Sequence, residues 1–151
     1  MIKKLDKKEN IFILENNYIG YLGYIFQSKP FVVPITYFFD KKNNAIICYS
    51  GQGHKINAMR KNKTVSLQVA EITTISHWKS VLVHGNFEQH YGSDAKAHLH
   101  VFSLGVKGVV LKREQKDLDF ISQFSSNIHK DDTPVVFLIK VKEITGKKRR
   151  F

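Results

Sequence analysis

The sequence predicts a mainly β domain with a few short helices, closed as a barrel of about six strands. Three observations carry that reading. Short runs rich in β-branched and aromatic residues recur along the chain and are separated by turn signals. The helical patterns between them are few and short, which favours a barrel over a parallel sheet of alternating strands and helices. At 151 residues and 42% hydrophobic content, the chain has the size of one domain with a real core. We read residues 1–151 as a single domain with a basic tail at 147–151; there is no internal repeat, low-complexity tract or linker.

Asp6-Lys7-Lys8-Glu9 fits a capping box ahead of apolar Ile11, Phe12 and Leu14, so a helix is expected from about Asp6 to Asn16. Tyr18 to Phe26 reads as a strand, Gln27 to Lys29 as a turn, and Phe31 to Phe39 as the next strand. Pro34 cannot donate to a ladder, so its place should be an edge, a bulge or a position beside a ligand. After a polar turn at Lys41 to Asn44, Ala45 to Ser50 is a strand and His54 to Lys61 a short helix. Thr64 to Glu71 alternates apolar Val65, Leu67 and Val69 with Ser66, Gln68 and Ala70, the signature of a half-buried strand. A long strand follows within Ser76 to Gln89, then a helix from Ala95 to about Phe102, capped by Ser93-Asp94. Leu104 to Val110, with two glycines, reads as a packed loop. Leu118, Ile121 and Phe124 predict an amphipathic helix over 115–127, and Asp131-Asp132 a loop. The last strand is Pro134 to Glu143, after which Ile144 to Lys147 leaves the domain.

The formal net charge is +11, and part of it lies at the ends. Residues 1–9 hold four lysines against Asp6 and Glu9, and 147–150 is Lys-Lys-Arg-Arg. No basic face with interleaved aromatics is visible, so these runs read as solvated tails and nucleic acid is not the expected partner; a nucleic-acid-binding barrel is the weakest reading. No apolar run reaches the ~18 residues of a membrane helix, and the N-terminus lacks the apolar core of a signal peptide. The single cysteine, Cys48, excludes an intrachain disulfide and a cysteine-based metal site. The seven histidines form no His-Glu-x-x-His and no other known ligand spacing; His98 and His100, two apart on a predicted helix, do not share a face. No metal is expected. No Gly-x-Ser-x-Gly elbow is present, so nucleophilic catalysis has no support. A cytoplasmic protein is the simplest inference.

One stretch concentrates the chemistry. Val33 to Asn62 runs strand, turn, strand, and then a glycine-spaced loop opening a helix at His54-Lys55. A helix N-terminus presents free N–H groups and partial positive charge to an anion. Ser50, His54, Lys55 and Arg60 together form a plausible cradle for one phosphate. The bland alternatives are a capping Ser50, ordinary exposed charges at Lys55 and Arg60, and packing roles for Thr36 and Trp78.

The order Val33-Pro34-Ile35-Thr36-Tyr37, Tyr49-Ser50, His54-Lys55 and Asn62 resembles the FMN-binding split-barrel family. That family includes pyridoxamine 5'-phosphate oxidase and small members such as nitroimidazole-resistance proteins. Ile19-Gly20-Tyr21-Leu22-Gly23 and Trp78-Lys79-Ser80-Val81-Leu82-Val83-His84-Gly85 are similar to two further strands of the small members, and the likeness spans about residues 6 to 146.

The resemblance implies a six-stranded split β-barrel that binds FMN, with catalytic residues unknown. The phosphate falls to Ser50, His54, Lys55 and Arg60; the ring falls to Val33, Pro34, Ile35 and Thr36, with Tyr49 beside Ser50. Gln68 and Trp78 are weaker candidates for the ring's far side or the facing subunit. It further implies a homodimer with FMN at the interface, and a flavin-dependent oxidoreductase reducing a small organic acceptor, such as a nitro compound, with NAD(P)H. The alternative is a non-catalytic flavin or haem binder of the same fold. Oxidation of pyridoxamine 5'-phosphate itself is disfavoured, because that enzyme ends in an Arg-Leu-x-Pro segment and this chain ends Gly-Lys-Lys-Arg-Arg-Phe. Tyr49 stands where nitroimidazole-resistance proteins commonly carry histidine, which argues against that specific activity.

Overall fold

The computed structural model describes residues 1–114 and 134–150. In chain order these form β1 (Ile2–Lys4), α1 (Lys7–Glu15), β2 (Ile19–Phe26), β3 (Lys29–Asp40), β4 (Ala45–Ser50), α2 (His54–Lys61), β5 (Thr64–Thr74), β6 (His77–His90), α3 (Gly92–Glu114) and β7 (Val135–Arg150). The expected helix over 115–127 and the loop at 131–132 lie outside the described residues. Among the described residues all six expected strands are present, and short β1 adds a seventh.

Every pairing is antiparallel, in the order β1-β7-β4-β3-β2-β5-β6, and β6 pairs back onto β7 to close the barrel. Inward side chains fill it: Leu22 and Tyr24 from β2, Tyr37 and Phe39 from β3, Ile46 and Cys48 from β4, Val65, Leu67 and Val69 from β5, Val81, Val83 and Phe87 from β6, and Phe137 and Ile139 from β7. The two short helices add to the same core. α1 begins with the expected capping box: the Asp6 carboxylate accepts from the Glu9 N–H at 2.8 Å, and the Glu9 carboxylate accepts from the Asp6 N–H at 3.3 Å. It buries Ile13 and Leu14, and α2 buries Ile56, Ala58 and Met59.

Two expectations are corrected. The stretch Leu104 to Val110 is not a packed loop but part of one long helix, α3. Leu99, Phe102, Val106 and Val110 lie on one face and pack over the outward side of β4 and β7, against Ala45, Ile47, Val136 and Leu138. That burial outweighs the roughly 1 kcal/mol that each glycine costs inside a helix. Gly105 has a steric reason: a Cβ there would lie 2.3 Å from the Phe38 ring. The second correction concerns the last strand. It does not leave the domain at Ile144; it runs to Arg150, with Lys147 to Arg149 paired to β6 on one side and to β1 on the other. Lys3, Lys4 and Lys147 to Arg150 are therefore sheet residues, not tails. Strand preference depends on pairing and packing more than on residue type, so charged residues join a ladder that sequence alone does not reveal. At Gly146 a Cβ would meet Asn10 Oδ1 at 2.0 Å, so glycine lets α1 seat against β7.

Candidate flavin site at the parting of β3 and β4

The β3–β4 ladder pairs Asp40 with Ala45 and ends at Tyr37 with Cys48. Continued register would place Thr36 opposite Tyr49 and Ile35 opposite Ser50, but there the strands part. Residues Lys29 to Thr36 of β3 pair only with β2. The Tyr37 N–H donates to the Tyr18 carbonyl on the β2 side. Strand alternation then turns the backbone polar groups of Val32, Pro34 and Thr36 toward the open edge. Pro34 thus stands at an edge and forfeits no ladder bond, as its residue type required. The candidate residues Val33 to Thr36 line one lip of the opening, and Tyr49 and Ser50 line the other.

The loop leaving β4 carries the remaining candidates. A Cβ added at Gly51 or Gly53 would meet nothing within 4 Å, so the loop borders open space among the described residues. Helix α2 starts after Gly53 with no side-chain cap, and its first backbone bond runs from the Asn57 N–H to the Gly53 carbonyl. The N–H groups of His54, Lys55 and Ile56 therefore have no acceptor within the helix. Ser50 does not cap the helix; its hydroxyl donates to the Gly51 carbonyl at 2.9 Å. Lys55 is half-buried in the first turn. Donors at the helix start, a cation beside them and open space over two glycines fit a phosphate.

The structure gives His54 neighbours that the sequence did not show. Its Nδ1 lies 2.9 Å from the Tyr24 hydroxyl, and its ring packs 4.9 Å from both Phe26 and Phe31. Tyr24 and Phe31 stack at 5.3 Å. The β2–β3 hairpin thus builds an aromatic box that fixes His54. Cross-strand register is the only signal that unites these residues, and no local motif carries it. Arg60, in the last turn of α2, donates from Nε to Gln89 of β6 at 2.8 Å, and Gln89 stands opposite Phe137 of β7.

Gln68 and Trp78 belong to the outward face of the barrel. Pro34, Tyr21, Gln68 and Leu82 form one transverse row across β3, β2, β5 and β6. Gln68 Nε2 donates to Ser80 Oγ at 3.0 Å. Trp78 is four residues from Leu82 along β6, about 13 Å at ~3.3 Å per residue, so one protomer does not bring it to the cradle. Tyr49 turns its ring to α3, where it stacks on Phe102 at 6.4 Å.

Among the described residues, no nucleophile emerges inside the barrel. Cys48 is fully buried, and burial pushes its thiol pKa up. Tyr37 is buried too and donates its hydroxyl to the Leu14 carbonyl at 2.9 Å; burial, then Cys48, raises its pKa. Among the described residues, no three His, Cys, Asp or Glu side chains gather to hold a metal ion. No helix among them is long and apolar enough to cross a membrane.

Comparison with known proteins decides the family. The profile of the pyridoxamine 5'-phosphate oxidase family matches residues 6–148. The chain belongs to that family. A relative of this pyridoxamine 5'-phosphate oxidase family member, an uncharacterized protein of Rhizobium meliloti, is 31% identical over 121 residues, covering 79% of this chain and 76% of that one. Among solved structures, a FAD-binding protein from Mesorhizobium loti superposes with a TM-score of 0.76 at 24% identity, covering 100% of this chain and 98% of that one. A FAD and haem binding protein from Mycobacterium smegmatis gives 0.71 at 8% identity, covering 99% and 74%. At these identities the structural likeness speaks for the split-barrel fold.

Proposed function

We propose that this protein binds FMN at the parting of β3 and β4 and acts as a flavin-dependent oxidoreductase, reducing a small organic acceptor with NAD(P)H. One observation carries the reading: an open strand edge at Val33 to Thr36 lies across from Tyr49 and Ser50, which lead directly into the uncapped start of α2. The amides of His54, Lys55 and Ile56 and the Lys55 ammonium hold the phosphate. The backbone of Pro34 and Thr36 orients the polar edge of the ring. Bound there, the flavin supplies the electron transfer.

The functional unit is a homodimer. Val32 (68% exposed), Tyr21 (48%) and Ile19 (48%) share the outward face with Pro34 and Gln68. Aliphatic and aromatic side chains exposed beside the open edge suit a second copy, which also brings its Trp78 face toward the ring. The relatives named for FAD make the second flavin a direct competitor in the test, and the FAD and haem binding relative keeps haem as the alternative for a non-catalytic binder.

The test is the visible spectrum of the purified protein before and after adding FMN, FAD or haem, followed by anaerobic NADH or NADPH. FMN bands that bleach with the nicotinamide and return with an acceptor support the reductase. Bound flavin that resists reduction makes it a binder, a Soret band selects haem, and a colourless protein that takes up none of the three overturns the site.

A further inference from the structure

The pairing of β1, β7 and β6 gathers basic residues from distant parts of the chain. Lys3 stands opposite Lys148, and Lys148 opposite Lys79, so three ammonium groups share one transverse row; Glu71 lies opposite Lys79 at its end. Lys4 and Lys147 pair one residue along, on the other face of the sheet, and Arg150 stands opposite His77. Neighbouring strands are ~4.8 Å apart, and like charges placed directly opposite each other destabilise a sheet. Two carboxylates face this group. Glu9 holds Lys148 at 3.0 Å; Glu71 is occupied by Asn17 at 2.8 Å and Arg113 at 3.4 Å. Lys3, Lys4, Lys79, Lys147 and Arg150 have no carboxylate partner among the described residues.

Exposed aliphatic side chains stand at the same end of the barrel. On β1 they are Met1 (77% exposed) and Ile2 (55%); on the β5–β6 hairpin they are Ile72 (75%) and Ile75 (85%). A concavity of about 510 Å³ is lined by Met1, Lys3, Lys148 and Arg150.

We propose that this end of the barrel docks on an anionic lipid surface, with the lysines on the headgroups and Ile75, Ile72 and Met1 in the interface. A nucleic-acid backbone would use the cations and leave the aliphatic groups in water, whereas a lipid surface takes both. The docking rim is the end of the barrel. The proposed dimer face around Tyr21 and Val32 is its side, and the two meet at Trp78, which stands opposite Ile72.

Full-length protein is sedimented with phosphatidylcholine vesicles, with and without phosphatidylserine, at rising salt. Binding that requires phosphatidylserine and weakens with salt is expected. Each neutralised lysine (Lys4→Gln, Lys147→Gln) lowers vesicle affinity about fivefold, equivalent to about 1 kcal/mol per basic residue near such a surface. Lys3→Glu puts a carboxylate opposite Lys148, so its melting temperature rises while vesicle binding falls, a pair of changes that misfolding cannot produce. Ile75→Ser weakens binding and leaves the salt dependence intact. Failure to bind phosphatidylserine vesicles at low salt, equal binding by Lys3→Glu, or tighter binding to a single-stranded oligonucleotide than to vesicles would each overturn the proposal.

Discussion

Two glycines of α3 separate helix propensity from packing. Replacing an interior helix glycine with alanine gains about 1 kcal/mol from backbone entropy alone. At Gly108 nothing among the described residues lies within 4 Å of the new Cβ, so Gly108→Ala should show that gain undiminished. At Gly105 the same methyl would sit 2.3 Å from Phe38 Cδ1 and Cε1 and 2.7 Å from Cγ. The clash reaches the root of the ring as well as its far edge, so the ring cannot escape by tilting; the strand or the helix must move. Such overpacking costs about 1–3 kcal/mol. Gly105→Ala should therefore fall about 1–3 kcal/mol below Gly108→Ala, and at or below the parent protein. Urea denaturation with a shared slope reads the difference, because both substitutions alter the unfolded chain in the same way. At ~2–4 °C per kcal/mol, the melting temperatures should separate by at least ~2 °C. Equal stability for the two variants would refute the seating of α3 on β3 through Gly105.

Other consequences follow from the site and the core. Lys55→Ala should weaken FMN binding by about 1.5–3 kcal/mol, the range for a hydrogen bond to a charged group, and unchanged affinity on titration would remove Lys55 from the cradle. Val32→Glu should give a monomer in light scattering with an unaltered far-UV spectrum; a dimer of unchanged mass would place the subunit contact elsewhere. Cys48 should resist thiol reagents until the protein unfolds, since it is fully buried with a raised pKa, and rapid native-state labelling would contradict the packing of β4. His98 packs its ring 4.5 Å from His90, and burial, then the neighbouring His90, lowers its pKa from the ordinary 6.5. The unfolded chain then binds the proton first, so stability is full above 6.5 and falls as pH drops from there toward the lowered folded value. His98→Gln should flatten that part of the melting-temperature profile, and parallel profiles would exclude His98 as the cause.

The sequence by itself determined most of the local elements and singled out the candidate site residues. The capping box at Asp6 and Glu9, the alternation of β5, and the glycine-spaced loop before His54 are short-range signals, because turn, cap and strand preferences act over a few residues. Pro34 narrowed its place to an edge, a bulge or a position beside a ligand for the same reason: its missing N–H excludes it from any ladder position that needs a donor. Tertiary structure decided what depends on register and on distant partners. Gly105 and Gly108 read as loop because helix preference is local, whereas the face of α3 is paid for by β4 and β7. Lys147 to Arg150 read as a tail because their charge opposes strand formation, and only β6 and β1 on either side supply the ladder that holds them. The box around His54 and the row from Pro34 to Leu82 unite residues far apart in the chain. Their proximity is set by how antiparallel strands align, a cooperative property of the closed barrel that no local stretch encodes.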